Sequence, residues 1–498
     1  MLAATFARPD IDYHAFAPEL VLVGVLVLVL AVDLVFEERA RWATSTITGL
    51  GLLAALVPIL TLAVDGSDRV MFGGAYVVDD FALVMKAMFL VAGYVIVLIS
   101  TDYVGEGDYY EGEYYFLLLS SLLGMTVMAS ARDLISIFIA LETLSIPAYL
   151  LAGWRKRDLK GNEASLKYYL LGVFASGVML YGMSLVFGMT GSTLLADIAE
   201  VLGDGDSAPV LTVGILFVVI GFAFKVSAVP FHTWAPDTYE GAPTPITAFL
   251  SVASKGAGFV ALLTLVFVGF GQQEEVWQPL FWVLAVLTMT VGNLIALRQT
   301  NVIRILAYSS VAQAGFMLVP LAVAGDIPAR LGGGATAVEA VVTYMLIYTA
   351  MNLGAFATVM AIFRKTRSAE LGSMGGLFEY APGLTVLMSA FVFALAGIPP
   401  LGGWYAKFVV VKSLFDAFTP AAVVLGVIVA VNSVVALYYY ASIAREMWMR
   451  PVPDGDRTPI VVPASLAAAV ALCAVGTVAI GVAPNLVARF GDLASFVG

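Results

Sequence analysis

A strongly apolar run with one acidic residue at its centre reads Leu134-Ile135-Ser136-Ile137-Phe138-Ile139-Ala140-Leu141-Glu142-Thr143-Leu144-Ser145. Crossing the hydrocarbon core of a bilayer takes about 20 residues of helix, and this run supplies the middle of such a segment. Glu142 then lies too far from either surface to extend its carboxylate into water. The run therefore predicts a membrane helix that carries an ionisable group at membrane depth.

The composition of the whole chain supports a membrane location. Of the 498 residues, 61% are hydrophobic and only 12% are charged, whereas a soluble domain carries about 25% charged residues. The formal net charge of −11 leaves no basic face for phosphate groups, which argues against nucleic acid as a partner. One cysteine and two histidines are too few for a disulfide framework, a haem or an iron–sulfur cluster. We therefore expect no cofactor on this chain.

Apolar runs of membrane-helix length recur along the chain. Where charges and turn residues interrupt them, about fourteen such runs can be counted, and no segment between them is long enough for a soluble domain. We therefore predict an all-α membrane protein in one polytopic domain, residues 1–498. The predicted spans are residues 17–36, 43–64, 80–100, 114–131, 133–153, 163–189, 209–229, 244–270, 277–297, 301–324, 337–363, 382–416 with a break, 419–444 and 460–484.

Numbered along the chain, the odd-numbered and even-numbered loops between the predicted spans differ in how much lysine and arginine they contain. Cationic loop residues favour the cytoplasmic side, so the odd-numbered loops are predicted to be cytoplasmic and both termini to face outward. The acidic segment 197–207 is then an outer loop. Fourteen cations lie in odd loops (Arg39, Arg41, Arg155, Lys156, Arg157, Lys160, Arg298, Arg304, Arg364, Lys365, Arg367, Arg445, Arg450, Arg457) and three in even loops (Arg69, Arg132, Arg330).

Two of the predicted helices, numbers seven and twelve, contain a proline break beside a lysine. Paired interrupted helices are typical of transporters built from inverted repeats, with the working site at the breaks. We predict five-helix repeats over residues 113–270 and 277–444, flanked by helices within 17–100 and 460–484. A simple kink in a tightly packed helix is the alternative reading of each proline. The breaks read Phe224-Lys225-Val226-Ser227-Ala228-Val229-Pro230 and Ala396-Gly397-Ile398-Pro399-Pro400-Leu401-Gly402-Gly403-Trp404-Tyr405-Ala406-Lys407.

Each proline also removes a backbone donor and clashes with the carbonyl four residues earlier. The carbonyl oxygens of Val226, Leu395 and Ala396 are therefore predicted to need another partner. Inside a membrane that partner must be a water or a cation.

Four ionisable residues lie within the predicted spans and away from their ends: Glu142, Lys225, Lys255 and Lys407. Each costs about 2.5–3.5 kcal/mol on insertion scales, so the four together cost on the order of 10 kcal/mol before pairing. A passive scaffold has little reason to carry that cost. Burial disfavours the charged form of a lysine while a nearby carboxylate favours it. The proton affinity of such a lysine would therefore depend on how closely a carboxylate approaches it.

Polar side chains recur at helical spacing near these charges. Thr247, Ser251 and Lys255 are four residues apart, which predicts one polar stripe that could line water. His232 could change charge near neutral pH, although a lone histidine beside a tryptophan is more often structural. Ordinary hydrogen bonding between helices is the alternative for every such stripe. Two other predicted helices carry polar side chains at the same four-residue spacing: Ser309 with Gln313, and Tyr344 with Tyr348 and Asn352.

Other charges near the helix ends receive simpler interpretations. Glu163 and Lys167 are predicted to form a surface pair one helical turn apart. Glu19 is expected to reach lipid head groups. Lys86 and Lys412 are expected to extend toward the membrane surface or to bind a neighbouring subunit.

Several motifs resemble those of one known family, the antiporter-like membrane subunits of the proton-pumping NADH:quinone oxidoreductase, respiratory complex I. The family is shared with multisubunit cation/proton antiporters, and the similarity covers nearly the whole chain. Within the family the chain is most similar to the branch called subunit N. The lysine at position 407 fits this branch better than it fits subunit M, in which a glutamate is expected there. The motifs are Glu142 within Leu141–Ser145, the proline-rich stretch Val229–Pro245 followed by Ser254-Lys255, Leu306-Ala307-Tyr308-Ser309-Ser310, and Leu395–Pro400.

The resemblance implies a role for each buried charge. Glu142 would pair with Lys225 in a first half-channel, Lys255 would be the central relay, and Lys407 would lead to the outer exit. His232, Ser251, Ser309 and Gln313 would help to hold a chain of waters. Many relatives carry histidine where this chain has Gln313, which cannot change charge.

The resemblance also implies partners. Other membrane-arm subunits and lipids would surround the chain in the inner (plasma) membrane of the cell, and NADH and quinone would bind to other subunits. No nucleotide loop or redox motif is visible here, so the energy for pumping would come from the rest of the complex. A subunit of a cation/proton antiporter is the main alternative, since it would use the same lysines.

Overall fold

Helices account for nearly all of the described structure. The computed structural model describes residues 11–36, 41–107, 111–203, 208–453 and 455–493. Within these ranges twelve helical segments are long and apolar enough to cross a membrane, and two further apolar helices are shorter. The α-helices are α1 (Ala17–Phe36), α2 (Arg41–Asp65), α3 (Asp80–Gly105), α4 (Glu111–Ser130), α5 (Leu134–Ala152), α6 (Leu159–Thr190), α7 (Leu195–Gly203), α8 (Pro209–Lys225), α9 (Trp234–Gly241), α10 (Thr244–Phe249), α11 (Lys255–Thr264), α12 (Glu274–Ala296), α13 (Val302–Leu318), α14 (Gly334–Thr366), α15 (Leu377–Tyr380), α16 (Pro382–Ala396), α17 (Gly403–Ala417), α18 (Pro420–Met449), α19 (Ala464–Val482) and α20 (Asn485–Leu493).

The helices follow the apolar runs of the sequence. Twelve of the predicted spans coincide with the twelve long helical segments, which confirms a helical membrane fold. The two shorter helices, α8 and α16, begin predicted helices seven and twelve and end just before the proline segments. The number of membrane crossings therefore depends on how these two segments sit in the bilayer.

The chain turns sharply between α16 and α17. α16 ends at Ala396, and Gly397 follows with φ of 90°, a left-handed conformation that favours glycine. α17 then begins at Gly403, where a Cβ atom would collide with the carbonyl oxygen of Ala394. This close approach places the start of α17 against the last turn of α16 and brings Lys407 next to the carbonyl oxygen of Ala396.

Predicted helix eight, residues 244–270, is less regular than its sequence indicates. α10 and α11 are joined by a π-helical turn, Leu250–Ser254, and a second π-helical turn follows at Leu265–Gly269. Lys255 is the first residue after the first of these turns. π-helical turns occur frequently at functional sites because they change which side chains face a neighbouring helix.

Two local elements differ from the predictions. Part of the predicted acidic loop at 197–207 lies in helix α7, because Leu195, Ile198 and Leu202 form one apolar face that is buried. A short antiparallel hairpin of β1 (Arg69–Met71) and β2 (Tyr76–Val78) precedes α3. The hairpin makes the fold nearly, rather than entirely, α-helical.

The prediction for Glu19 and Lys86 is wrong. Both side chains are buried, with 1% and 0% of their surface exposed, and Lys86 Nζ lies 3.0 Å from Glu19 Oε1. α2 and α4 each pack against both α1 and α3, so the buried lysine of α3 meets a carboxylate of α1 instead of the membrane surface. Two further groups lie at the surface: Lys167 pairs with Glu163 at 2.7 Å, as predicted, and the half-exposed Lys412 lies 2.9 Å from Asp416.

Candidate functional site

Glu142 lies in the middle of α5 and faces α6. Its side chain is partly buried, and its Oε1 atom accepts a 2.6 Å hydrogen bond from the hydroxyl of Ser176 on α6. Ser176 thus gives the carboxylate a neutral hydrogen-bond donor inside the membrane. The sequence analysis did not single out Ser176, because a lone serine in an apolar helix carries no distinctive pattern.

Lys225 is the last residue of α8 and is 3% exposed. Its ammonium donates hydrogen bonds of 2.9 Å to Ser145 Oγ and 3.2 Å to the hydroxyl of Tyr168. Among the described residues no ion pair within 4.0 Å joins Lys225 to Glu142. Ser145 lies one helical turn beyond Glu142 on α5, so α5 carries both the acid and a neutral acceptor for this lysine.

Lys255 is held by a single residue of α13. It is 2% exposed, and its Nζ atom donates to the carbonyl oxygen of Ser310 at 2.7 Å and to the Ser310 hydroxyl at 2.6 Å. Both acceptors are neutral. A small cavity of about 10 Å³ beside Lys255, lined mainly by methionine and aromatic side chains, is at the lower limit for one water molecule.

The side chains of the polar stripe predicted on helix eight form hydrogen bonds with different partners. Thr247 donates to the carbonyl oxygen of Tyr239 at 2.9 Å. Ser251 donates to the carbonyl oxygen of Ala248 and accepts a 2.8 Å hydrogen bond from the amide of Asn352. The π-helical turn before Lys255 alters the four-residue spacing on which the stripe was based.

Gln313 connects α13 with three other helices. Its Nε2 donates to the carbonyl oxygen of Leu395 at 2.9 Å and to the hydroxyl of Tyr440 at 3.1 Å, while Tyr344 donates to its Oε1. Ser309, one turn earlier on α13, also hydrogen-bonds to the Tyr440 hydroxyl. The predicted pair of Ser309 and Gln313 is therefore brought together through Tyr440 of α18, a residue the sequence analysis missed.

Lys407 lies on the first turns of α17 and is partly buried. Its Nζ atom donates a 2.7 Å hydrogen bond to the carbonyl oxygen of Ala396 and lies 4.9 Å from the ring centre of Phe316. The carbonyl oxygens of Leu395 and Ala396 were both predicted to need a new partner. The prediction of a cation or water is confirmed for Ala396, which Lys407 binds, and is wrong for Leu395, whose partner is the neutral amide of Gln313.

His232 occupies the segment between α8 and α9. Its side chain is buried, its Nδ1 atom has no hydrogen-bond partner, and its ring packs edge-on toward Tyr308 with the centroids 6.4 Å apart. A relay role for His232 stays a prediction. In the described part of the chain, no group of three or more His, Cys, Asp or Glu side chains is close enough to hold a metal ion.

A polar cavity of about 730 Å³ opens on the side of the protein where α3 and α14 end. It is lined by charged residues of both signs, among them Arg155, Lys160, Glu240 and Arg364. Near the cavity lining, Asp237 lies 2.8 Å from Lys167 and 3.1 Å from Arg304. Burial alone would raise the pKa of the Asp237 carboxyl, but hydrogen bonds from these two cations outweigh it and hold the pKa below its usual value.

The sequence matches proteins of one family along almost its whole length. The family described as NADH:quinone oxidoreductase/Mrp antiporter, TM, matches residues 131–433. NADH-quinone oxidoreductase subunit N 1 of Herpetosiphon aurantiacus is 39% identical, over 98% of this chain and 97% of the relative. NADH-quinone oxidoreductase subunit N of Trichlorobacter lovleyi is 38% identical, over 97% of each.

Solved structures agree with the sequence comparison. A chain of respiratory complex I from Thermus thermophilus is 31% identical and superposes with a TM-score of 0.78, covering 95% of this chain and 98% of that one. A chain of the Mrp complex from Dietzia has a TM-score of 0.84 at 21% identity, covering 97% of each chain, and shares the fold. The resemblance seen in the sequence is thus confirmed, and the chain belongs to the family of membrane subunits common to NADH:quinone oxidoreductases and Mrp antiporters.

Proposed function

We propose that this chain is a proton-translocating membrane subunit of a respiratory NADH:quinone oxidoreductase. The observation that carries the proposal is the environment of three lysines, Lys225, Lys255 and Lys407. Their ammonium groups are bound by hydroxyl and carbonyl oxygens, and no carboxylate of a described residue lies within 4.0 Å of them. Burial without a counter-ion disfavours the charged form of lysine, so each amine is suited to release a proton.

Glu142 would control the first transfer. When its carboxylate approaches Lys225 the ammonium form is favoured, and when it stays with Ser176 the lysine is held by neutral groups alone. The side chain of Lys225 packs against the helix of Lys255, because a Cβ atom at Gly258 would lie 3.1 Å from Lys225 Cγ. A proton released by Lys225 would pass to Lys255 on that helix and leave through Lys407, with His232, Ser251, Ser309 and Gln313 helping to hold waters between them.

The energy for this transfer would come from other subunits. The named relatives are NADH-quinone oxidoreductase subunits, and this chain would act in such a complex as a non-redox translocase without a cofactor of its own. NADH and quinone would bind elsewhere, and other membrane-arm subunits and lipids would surround the chain in the inner (plasma) membrane. The polar cavity near Asp237 would admit protons from the cytoplasm.

The topology proposed here has fourteen crossings. α8, and α16 with α17, would complete the two interrupted helices, and residues 113–270 and 277–444 would form the two inverted repeats of a single domain. Both termini would face outward, because cations are concentrated in the loops on the opposite side.

Two substitutions of Lys255 test the proposal in the assembled complex. Lys255→Met removes the titrating amine with little loss of volume, and Lys255→Arg keeps a charge that cannot be given up at any working pH. A relay lysine fails with both, whereas a structural cation survives as arginine. Quinone reduction and proton uptake would be measured in vesicles, and normal pumping by Lys255→Arg would overturn the relay.

The family also includes Mrp antiporters, so the same vesicles separate the two functions. A respiratory subunit moves protons when NADH is oxidised and is indifferent to sodium. Sodium flux coupled to proton flux, together with co-purification of antiporter subunits alone, would assign the chain to the antiporter branch.

A further inference from the structure

One face of α14 carries three polar side chains at a spacing of four residues, Tyr344, Tyr348 and Asn352. All three are buried, with 0%, 2% and 0% of their surface exposed. Side chains at this spacing lie on the same side of a helix, about 6 Å apart along its axis. α14 packs against α10, against the π-helical turn before Lys255 and against α13. The three side chains therefore form a polar line inside the protein.

The two ends of this polar line are hydrogen-bonded to different parts of the candidate site. Asn352 donates a 2.8 Å hydrogen bond to the hydroxyl of Ser251, which belongs to helix eight. Tyr344 donates to Oε1 of Gln313, whose amide nitrogen donates to the carbonyl oxygen of Leu395 on α16. The line thus runs from the helix that carries the central lysine to the end of α16, where the exit lysine is bound.

The middle side chain of the line, Tyr348, lies beside the central lysine. Tyr348 and Lys255 line the same small cavity, whose volume of about 10 Å³ is at the lower limit for one water molecule. Among the residues that the structure describes, none is hydrogen-bonded to the Tyr348 hydroxyl. A buried hydroxyl without a partner is costly, and an ordered water is a common way to satisfy it.

Lys255 has one hydrogen-bond donor left for such a water. Its ammonium carries three N–H groups, and the carbonyl and hydroxyl oxygens of Ser310 accept two of them, at 2.7 and 2.6 Å. In the described part of the chain no third acceptor is bound to this ammonium. A water in the cavity would accept the remaining hydrogen and bind the Tyr348 hydroxyl, so that it would satisfy both groups.

We infer that Tyr348, together with a water in this cavity, carries protons from Lys255 toward Lys407. The inference deepens the proposed function and rests on it. In one transfer the Lys255 ammonium gives a proton to the water, and the water gives one of its own protons to the phenol oxygen. The phenol releases its original proton toward Tyr344, which a hydroxyl can do because it both donates and accepts. The proton ends on the neutral amine of Lys407, Lys255 is left neutral, and no electron moves.

The substitution Tyr348→Phe separates proton transfer from a structural role. Phenylalanine keeps the ring and removes only the hydroxyl, which has no partner among the described residues. Assembly of the complex and its thermal unfolding should therefore not worsen. We expect NADH-driven proton pumping in vesicles to slow at least tenfold. Pumping at the wild-type rate, or a clear loss of thermal stability, would overturn the proposal.

Tyr115→Phe on α4 is the matched control. Tyr115 is also fully buried, and its hydroxyl also has no partner within the described structure. It does not line the cavity beside Lys255. We therefore expect Tyr115→Phe to pump at the wild-type rate. Equal slowing by the two substitutions would mean that the loss of a buried hydroxyl acts through packing, and the proposal would fail.

Gly256→Ala tests the water without changing either proton carrier. Gly256 lines the cavity, and a Cβ atom there would lie 3.0 Å from Cε of Met88, the end of a flexible side chain. The methyl group is therefore tolerated after a small shift of Met88, but it takes up space in a cavity that can barely hold one water. We expect pumping to slow as it does in Tyr348→Phe. An assembled Gly256→Ala complex that pumps at the wild-type rate would refute transfer through this water.

Lys255→Met in the same vesicles separates a failure of this inference from a failure of the proposed function. This variant should stop pumping. If it does so while Tyr348→Phe and Gly256→Ala pump normally, only the step through Tyr348 is refuted. If Lys255→Met also pumps normally, the proposed function itself is refuted.

Discussion

The buried ion pair of Glu19 on α1 and Lys86 on α3 allows a quantitative test of how much a contact between these helices stabilises the protein. Lys86 Nζ lies 3.0 Å from Glu19 Oε1 and donates a 2.8 Å hydrogen bond to the hydroxyl of Tyr76. Lys86→Met would leave the Glu19 carboxylate, which is 1% exposed, without a cation. Removing one partner of a buried ion pair costs about 3–5 kcal/mol, so the unfolding equilibrium should shift by at least about a hundredfold.

Lys412 offers a matched control in the same chain. Its ammonium lies 2.9 Å from Asp416, a separation almost identical to that of the buried pair, but 45% of its side chain is exposed. An exposed pair one helical turn apart is worth about 0.3–0.5 kcal/mol. Lys412→Met should therefore destabilise the protein by roughly a tenth as much as Lys86→Met, although both substitutions delete the same kind of group.

The assay is denaturant unfolding of the purified full chain in mixed lipid–detergent micelles. The double variant Glu19→Gln with Lys86→Met should recover part of the loss, because neither charge is then left alone. If Lys86→Met lowers the free energy of unfolding by no more than Lys412→Met does, the buried ion pair does not stabilise the position of α1 relative to α3.

Three further results are expected. A cysteine introduced at the exposed Ser67 should be labelled only from outside and one at Lys156 only from the cytoplasm; the reverse pattern in intact cells would contradict the proposed orientation. Glu142→Gln should lower the number of protons pumped per quinone reduced in a fully assembled complex, and a wild-type ratio would refute control by this carboxylate. Gln313→Ala leaves the buried carbonyl of Leu395 without its donor and should lower stability by about 1–3 kcal/mol, measured by thermal unfolding; an unchanged midpoint would mean that water replaces the amide.

The helices could be read from the sequence because the membrane permits few alternatives. Every backbone group in the hydrocarbon core needs a hydrogen-bond partner, and a helix supplies nearly all of these within its own segment, so the length of an apolar run predicts a helix and its approximate ends. That constraint weakens at the membrane surface. α7 and the hairpin of β1 and β2 connect the ends of membrane-length helices, and their short, mixed sequences carry no comparable signal.

The buried charges were also visible in the sequence, but their partners were not. Glu142, Lys225, Lys255 and Lys407 stand out as polar residues in apolar runs, whereas Ser176 and Ser310 resemble the many serines that membrane helices carry. Which hydroxyl meets which ammonium is decided by packing between helices far apart in sequence. Periodicity along one helix contains no such information, and the π-helical turn before Lys255 alters even that periodicity.

The contacts of Gln313 suggest why this position tolerates a residue that cannot change charge. Its amide donates to the carbonyl of Leu395, while Lys407 donates to the next carbonyl along α16. Both oxygens are left without a helical partner by the prolines, so Gln313 satisfies one and leaves the other for the lysine. The two donors thus divide the two carbonyls between them, and the Lys407 ammonium has a single backbone acceptor, the carbonyl of Ala396. Gln313 therefore acts as a fixed hydrogen-bond donor, a role that needs no change of charge, while the hydroxyls of Ser309 and Tyr440 beside it can both donate and accept.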